Sequence, residues 1–142
     1  MNPTAGWLTL TQEETIDPTL PICDPHHHLW DHRPNSVPDT YLLDDFLSDI
    51  DTGEHNIVAT VFIECGTMFS VDGPFDLRPV GETQFANGMA AMSASGLYGS
   101  TRVAAAIVGT AYLTAGDGVA SVLDAQLAAG GSRFKGIRQA AA

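Results

Sequence analysis

Three of the chain's five histidines stand side by side in DPHHHLWD, residues 24–31. In an extended segment successive side chains alternate, so His26 and His28 point one way and His27 the other. Two imidazoles on one side can share a metal ion. Asp24 falls on that side too, where it can ligate, or accept a ring N–H and so fix a histidine tautomer. An imidazole and carboxylate set without thiolates suits a divalent cation, Zn first, with Mn or Fe as alternatives. The competing reading is a surface loop that happens to be rich in histidine. Other residues qualify by ending apolar runs. Glu64 follows Ile57–Ile63, where a carboxylate can serve as an additional ligand or bond to one, or simply meet solvent. Arg138 can bind a substrate carboxylate through two N–H groups, or pair with one of the many acids. Thr110 is a weaker candidate of the same kind.

These residues need elements that bring them to one place. Leu20–Asp24 reads as a short strand running straight into the histidines, and Pro25, Pro34 and Pro38 mark an irregular loop after it. Asp39 or Thr40 can cap a helix with Leu42, Leu43, Phe46, Leu47 and Ile50 at near-helical spacing, ending before Gly53. Ile57–Ile63 is a nearly continuous β-branched run, as in a parallel strand buried on both faces. A loop over 66–79 precedes a helix over 80–95 with Phe85, Met89 and Met92 as its stripe. Val103–Val108 reads as a third buried strand, with its alanines leaving helix as the alternative. A helix over 117–129 presents Val119, Val122, Leu123 and Leu127, and Gly130-Gly131 stops it. Residues 133–138 form a fourth strand. Glu82 belongs to a helical first turn, where an acid favours the macrodipole. His32 and His55 are surface residues, and Trp30 is a packed aromatic beneath the loop.

The order β-α-β-α-β-α-β favours a parallel sheet with right-handed crossovers. An open nucleotide-binding sheet would show a Gly-rich turn after its first strand, and DPHHH stands there instead. The preferred architecture is therefore α/β, the first half of a (β/α)8 TIM-type barrel. A whole barrel takes about 250 residues, so the 142-residue chain reads as incomplete, with a polar leader over 1–19 and the barrel portion over 20–142.

Composition removes other classes. With 44% hydrophobic and 16% charged residues the chain can bury a core. A net charge of −11 opposes a nucleic-acid partner, which needs clustered cations. The charge is uneven: residues 101–142 hold four bases against Asp117 and Asp124, while residues 1–100 hold two bases and fifteen acids. Cys23 and Cys65 form no CxxC pair or disulfide framework and read as reduced thiols in the core or at strand ends. No secretory or membrane-spanning segment is legible, so the expected location is cytoplasmic and no membrane partner is expected. No GxSxG elbow supports a serine hydrolase.

DPHHHLWD resembles the DxHxH signature that ends the first strand in the amidohydrolase superfamily, and its LWD is typical of the amidohydrolase-related branch. That branch includes 2-pyrone-4,6-dicarboxylate lactonase-like hydrolases and decarboxylases. TVFIECGTMF, VGETQFANGMAAMSASG, RVAAAIVGTAYL and FKGIRQAAA are similar, in order and spacing, to what the branch carries through its first four βα units. The resemblance implies that His26 and His28 are metal ligands, with Asp24 supporting them. It implies a further ligand histidine and a base aspartate from later strands, beyond residue 142. Tyr112 departs from the pattern, standing where an aspartate is expected. The implied function of the full-length protein is metal-dependent hydrolysis of a small carboxylate-bearing lactone, ester or amide. The alternative is non-oxidative decarboxylation. A further alternative is that the half-barrel alone is inactive, with exposed edges that must pair, in a homo-oligomer for example, or aggregate.

Overall fold

The computed structural model describes residue 10 and residues 13–140; most of the expected leader lies outside these. Four strands, β1 (Ile22–His27), β2 (Ile57–Ile63), β3 (Arg102–Gly109) and β4 (Phe134–Ile137), form one sheet in the order β1-β2-β3-β4, every neighbouring pair parallel. Between them run α1 (Leu43–Thr52), α2 (Val80–Ala94) and α3 (Val119–Gly130). The chain is thus an α/β unit built on a four-stranded parallel sheet. Among the described residues no helix is long and apolar enough to cross a membrane.

Several boundaries differ from expectation for identifiable reasons. The first strand does not stop at Asp24 but continues through Pro25 to His27. Proline lacks the N–H that a central strand must donate, and β1 is an edge strand, so the ladder tolerates it. Neither Asp39 nor Thr40 caps α1. Thr40 Oγ1 donates to Asp31 Oδ1 at 2.6 Å, and Trp30 and Tyr41 form an antiparallel bridge that keeps the chain extended. The helix starts two residues later, where the Asp45 carboxylate accepts the Leu42 N–H at 2.9 Å. Trp30 packs as expected, stacked on Tyr41 with its indole N–H donating to the Pro38 carbonyl.

The expected stripes of α2 and α3 hold only in part: Val122 is buried as expected, but the other fully buried side chains are small or polar. On α2 the sequestered side chains are Glu82, Thr83, Ala86, Ala90 and Ser93, while Phe85 and Met89 are half-buried and Met92 is exposed. On α3, Leu127 is 52% exposed and Gln126 fully buried. Close approach explains this, because a small side chain lets a helix axis come nearer the sheet than a leucine would. A Cβ on Gly109 in β3 would lie 2.8 Å from Thr83 Oγ1, and one on Gly130 would lie 2.7 Å from the Cβ of Phe134. The core joins Leu43 and Phe46 of α1, Ala86 and Ala90 of α2, and Phe62, Ile107 and Phe134 of the sheet.

Gly81 meets the same constraint from backbone atoms. A Cβ there would sit 2.5 Å from the Met68 carbonyl oxygen and 2.9 Å from the Ser70 nitrogen. Main chain cannot swing aside as a side chain can. Gly81→Ala is therefore expected to cost about 2 kcal/mol or more, the order seen for overpacking, read as a lower urea midpoint; an unchanged midpoint would show that the 68–70 segment yields freely.

Candidate functional site

His26 and His28 reach the C-terminal end of β1 on the same side, as alternation requires. Their Nε2 atoms lie 3.2 Å apart, with ring centroids at 4.9 Å and planes nearly perpendicular. His28 Nδ1 is 2.8 Å from the Ile63 carbonyl oxygen at the end of β2. A carbonyl only accepts, so Nδ1 carries the proton and Nε2 of His28 presents a lone pair toward His26. That atom can accept an N–H from His26 Nε2 or bind an ion shared with it. With Zn–N bonds of roughly 2.0–2.1 Å, two nitrogens on a tetrahedral ion stand about 3.3 Å apart, so the observed spacing is that of two ligands on one ion as well as that of a hydrogen bond. Both residues fit a divalent ion on this test. Among the described residues, however, no group of three or more His, Cys, Asp or Glu side chains is placed to hold a metal.

The supporting residues take other roles. Asp24 does not accept a ring N–H; its Oδ1 accepts the backbone N–H of His26 at 3.0 Å, stiffening the strand where Pro25 interrupts the ladder. Glu64 and Arg138, expected as separate candidates, form an ion pair. Arg138 Nε donates to Glu64 Oε1 and Nη2 to the Glu64 carbonyl, both at 2.7 Å. The backbone extends the ladder beneath them, with Glu64 N–H bonded to the Val108 carbonyl and Arg138 N–H to that of Gly109. The ion pair uses one edge of the Arg138 guanidinium, and Glu64 makes no hydrogen bond to either histidine. Thr110 is buried, and its carbonyl accepts Gln126 Nε2 at 2.8 Å, tying the end of β3 to α3.

Two contacts around these strand ends escape sequence reasoning. Glu82 sits in a helical first turn as expected, but it is only 1% exposed. Its Oε1 accepts the N–H groups of Cys65 at 2.8 Å and Thr67 at 3.1 Å, clamping the loop that follows Glu64. Burial raises its carboxyl above the usual range, opposed by those two hydrogen bonds, and Oε2 has no partner. The other is a contact between loops: Phe75, 64% exposed, stacks on Tyr112 at 5.1 Å and ties the loop after β2 to the loop after β3. No local pattern links two aromatics 37 positions apart in sequence.

His27 points into the core. Its ring stacks on Phe46 at 4.5 Å and meets Phe62 edge-on, and neither ring nitrogen has a hydrogen-bond partner. Burial lowers its pKa to about 4, against the pull of Asp24 and of the nearby Val61 backbone, which approaches the ring without completing a hydrogen bond of good geometry. Cys65 offers no nucleophile, since burial and then the neighbouring Glu82 push its thiol up to about 12. Cys23 is exposed, and His32 and His55 lie on the surface as expected.

The chain matches no family model, no curated protein and no solved structure.

Proposed function

We propose that the chain contributes the first two ligands of a divalent metal site in a hydrolase of the amidohydrolase type, acting on a small carboxylate-bearing lactone, ester or amide. The observation that carries this reading is the convergence of His26 and His28 Nε2 at 3.2 Å, with His28 oriented from behind by the Ile63 carbonyl. Metal-ligating histidines are typically held by such a bond on the other ring nitrogen. The resemblance of DPHHHLWD to the DxHxH signature points the same way, and the four parallel strands are compatible with the opening half of a (β/α)8 barrel. In such barrels chemistry gathers at the C-terminal strand ends, where His26, His28, Glu64 and Arg138 lie.

A bound divalent ion supplies Lewis acidity toward a carbonyl and a lowered pKa for its water. The protein's part is positional. The Ile63 carbonyl fixes the His28 tautomer, and Asp24 holds the backbone that presents His26. Arg138, locked along one edge by Glu64, keeps its remaining N–H groups for a substrate carboxylate.

Titration with Co2+ or Zn2+ tests the ligand assignment. The wild-type chain is expected to take up one equivalent weakly, and His26→Ala or His28→Ala each to lower the affinity roughly tenfold or more, about 1.4 kcal/mol per decade; His32→Ala, on the surface, changes nothing. Metal uptake that survives replacement of both His26 and His28 would place the ion elsewhere. On the chemistry, hydrolysis of a lactone panel that disappears in His26→Ala supports the hydrolase. Carbon dioxide release from an aromatic acid without hydrolysis replaces it with the decarboxylase.

A further inference from the structure

The sheet end opposite the histidines carries its own cluster. Arg102 opens β3, and Arg133 directly precedes β4, whose first residue Phe134 pairs with Ile107 further along β3, so the two arginines approach from different levels of the sheet. With Ser132 and the methyl groups of Ala90, Ala94 and Ala105 they line a pocket of about 380 Å³.

The chain has six lysines and arginines and seventeen acids, so an arginine has many carboxylates to choose from. Yet no acid lines this pocket, and among the described residues neither Arg102 nor Arg133 stands within ion-pair distance of one. Arg133 is nonetheless held in place. Its Nη1 donates to Asn87 Oδ1 at 2.8 Å, and the Asn87 amide donates in turn to the Ala129 carbonyl at 2.9 Å. One N–H is thereby fixed while the rest of the fork stays unspent. Both arginines line the recess and no carboxylate does, so an anion there meets positive charge without a competing acid.

We propose that this pocket binds a small oxyanion, carboxylate or phosphate, carried on a short apolar stem. The guanidinium forks match paired anionic oxygens, Ser132 adds a hydroxyl, and the alanine methyls accept the stem. The whole chain, at −11, repels anions. The pocket is a local reversal of that field, and its occupancy falls as salt rises. This site is independent of the metal ligands, which occupy the other end of the strands.

Calorimetric titration of the full chain with inorganic phosphate, ethyl phosphate and butanoate, at an ionic strength held constant with chloride, is the test. Saturable binding of ethyl phosphate above butanoate assigns the oxyanion to a phosphoryl group; the reverse order assigns it to a carboxylate. Arg102 is exposed at a strand end, so Arg102→Ala keeps the fold and is expected to weaken binding about tenfold, and Arg102→Glu to abolish it. Arg33→Ala, exposed in the loop after β1, leaves it intact. Absence of saturable binding for all three probes, or binding indifferent to Arg102→Glu, overturns the proposal.

Discussion

Glu82→Ala is expected to destabilise the fold by about 3 kcal/mol, whereas Glu82→Gln stays within about 1 kcal/mol of wild type. The alanine leaves the N–H groups of Cys65 and Thr67 without an acceptor, and each unsatisfied buried donor costs roughly 1–3 kcal/mol. It also empties the space of a side chain that is 1% exposed. Relief from burying a carboxylate offsets part of this, which keeps the net near the middle of the range. Glutamine retains an oxygen at the Oε1 position and puts an uncharged amide where Oε2 now lacks a partner. The pH dependence has a defined sign. Because the folded carboxyl is raised above its ordinary value, its favourable contribution is full below about 4.5 and is lost as pH rises through the folded pKa. Urea midpoints for the three proteins at pH 4.5 and pH 8 check both points, with glutamine gaining on wild type at the higher pH. An alanine variant within 0.5 kcal/mol of wild type would mean that the 65–67 loop finds other acceptors.

Local chemistry was legible where local rules govern it. Alternation alone separates His26 and His28 from His27, and the structure keeps that division. The seven-residue run Ile57–Ile63 became β2 with its bounds intact, because a continuous β-branched segment has few other stable environments. What could not be read was partnership across the chain. Glu64 and Arg138 were each placed at a strand end, but their pairing depends on β2 and β4 flanking β3. Asp24 looked like a partner for an imidazole because it shares their side of an ideal strand; the register shift between Asp24 and His27 lets it cap the His26 N–H instead. The stripes of α2 and α3 hold only in part, with Val122 buried but Met92 and Leu127 exposed, for a related reason. Hydrophobicity ranks Met92 and Leu127 above Ala90 and Gln126, while close helix–sheet approach ranks by size and by whether a polar end finds an acceptor, as Gln126 Nε2 does at Thr110.

His27 gives the chain its second large effect. Its imidazole titrates near 6.5 when the chain is unfolded and at about 4 when folded, because the stacked ring between Phe46 and Phe62 cannot be charged without water. Between those values the unfolded chain binds the extra proton, so stability rises with pH. The contribution is whole above about 6.5 and is lost as pH falls toward 4. A difference of about 2.5 pKa steps at roughly 1.4 kcal/mol each amounts to about 3 kcal/mol. Glu82 slopes the other way, so the wild-type profile is a difference of two terms and single variants are needed to separate them. His27→Phe preserves the aromatic stack on Phe46 and removes two buried nitrogens without partners. Urea denaturation between pH 4 and pH 7 should show the wild type losing about 3 kcal/mol more than His27→Phe over that interval. Equal losses in the two proteins would mean that the His27 ring is hydrated when folded. The slope would then belong to the carboxylates, and the middle histidine of DPHHHLWD would be no part of the core.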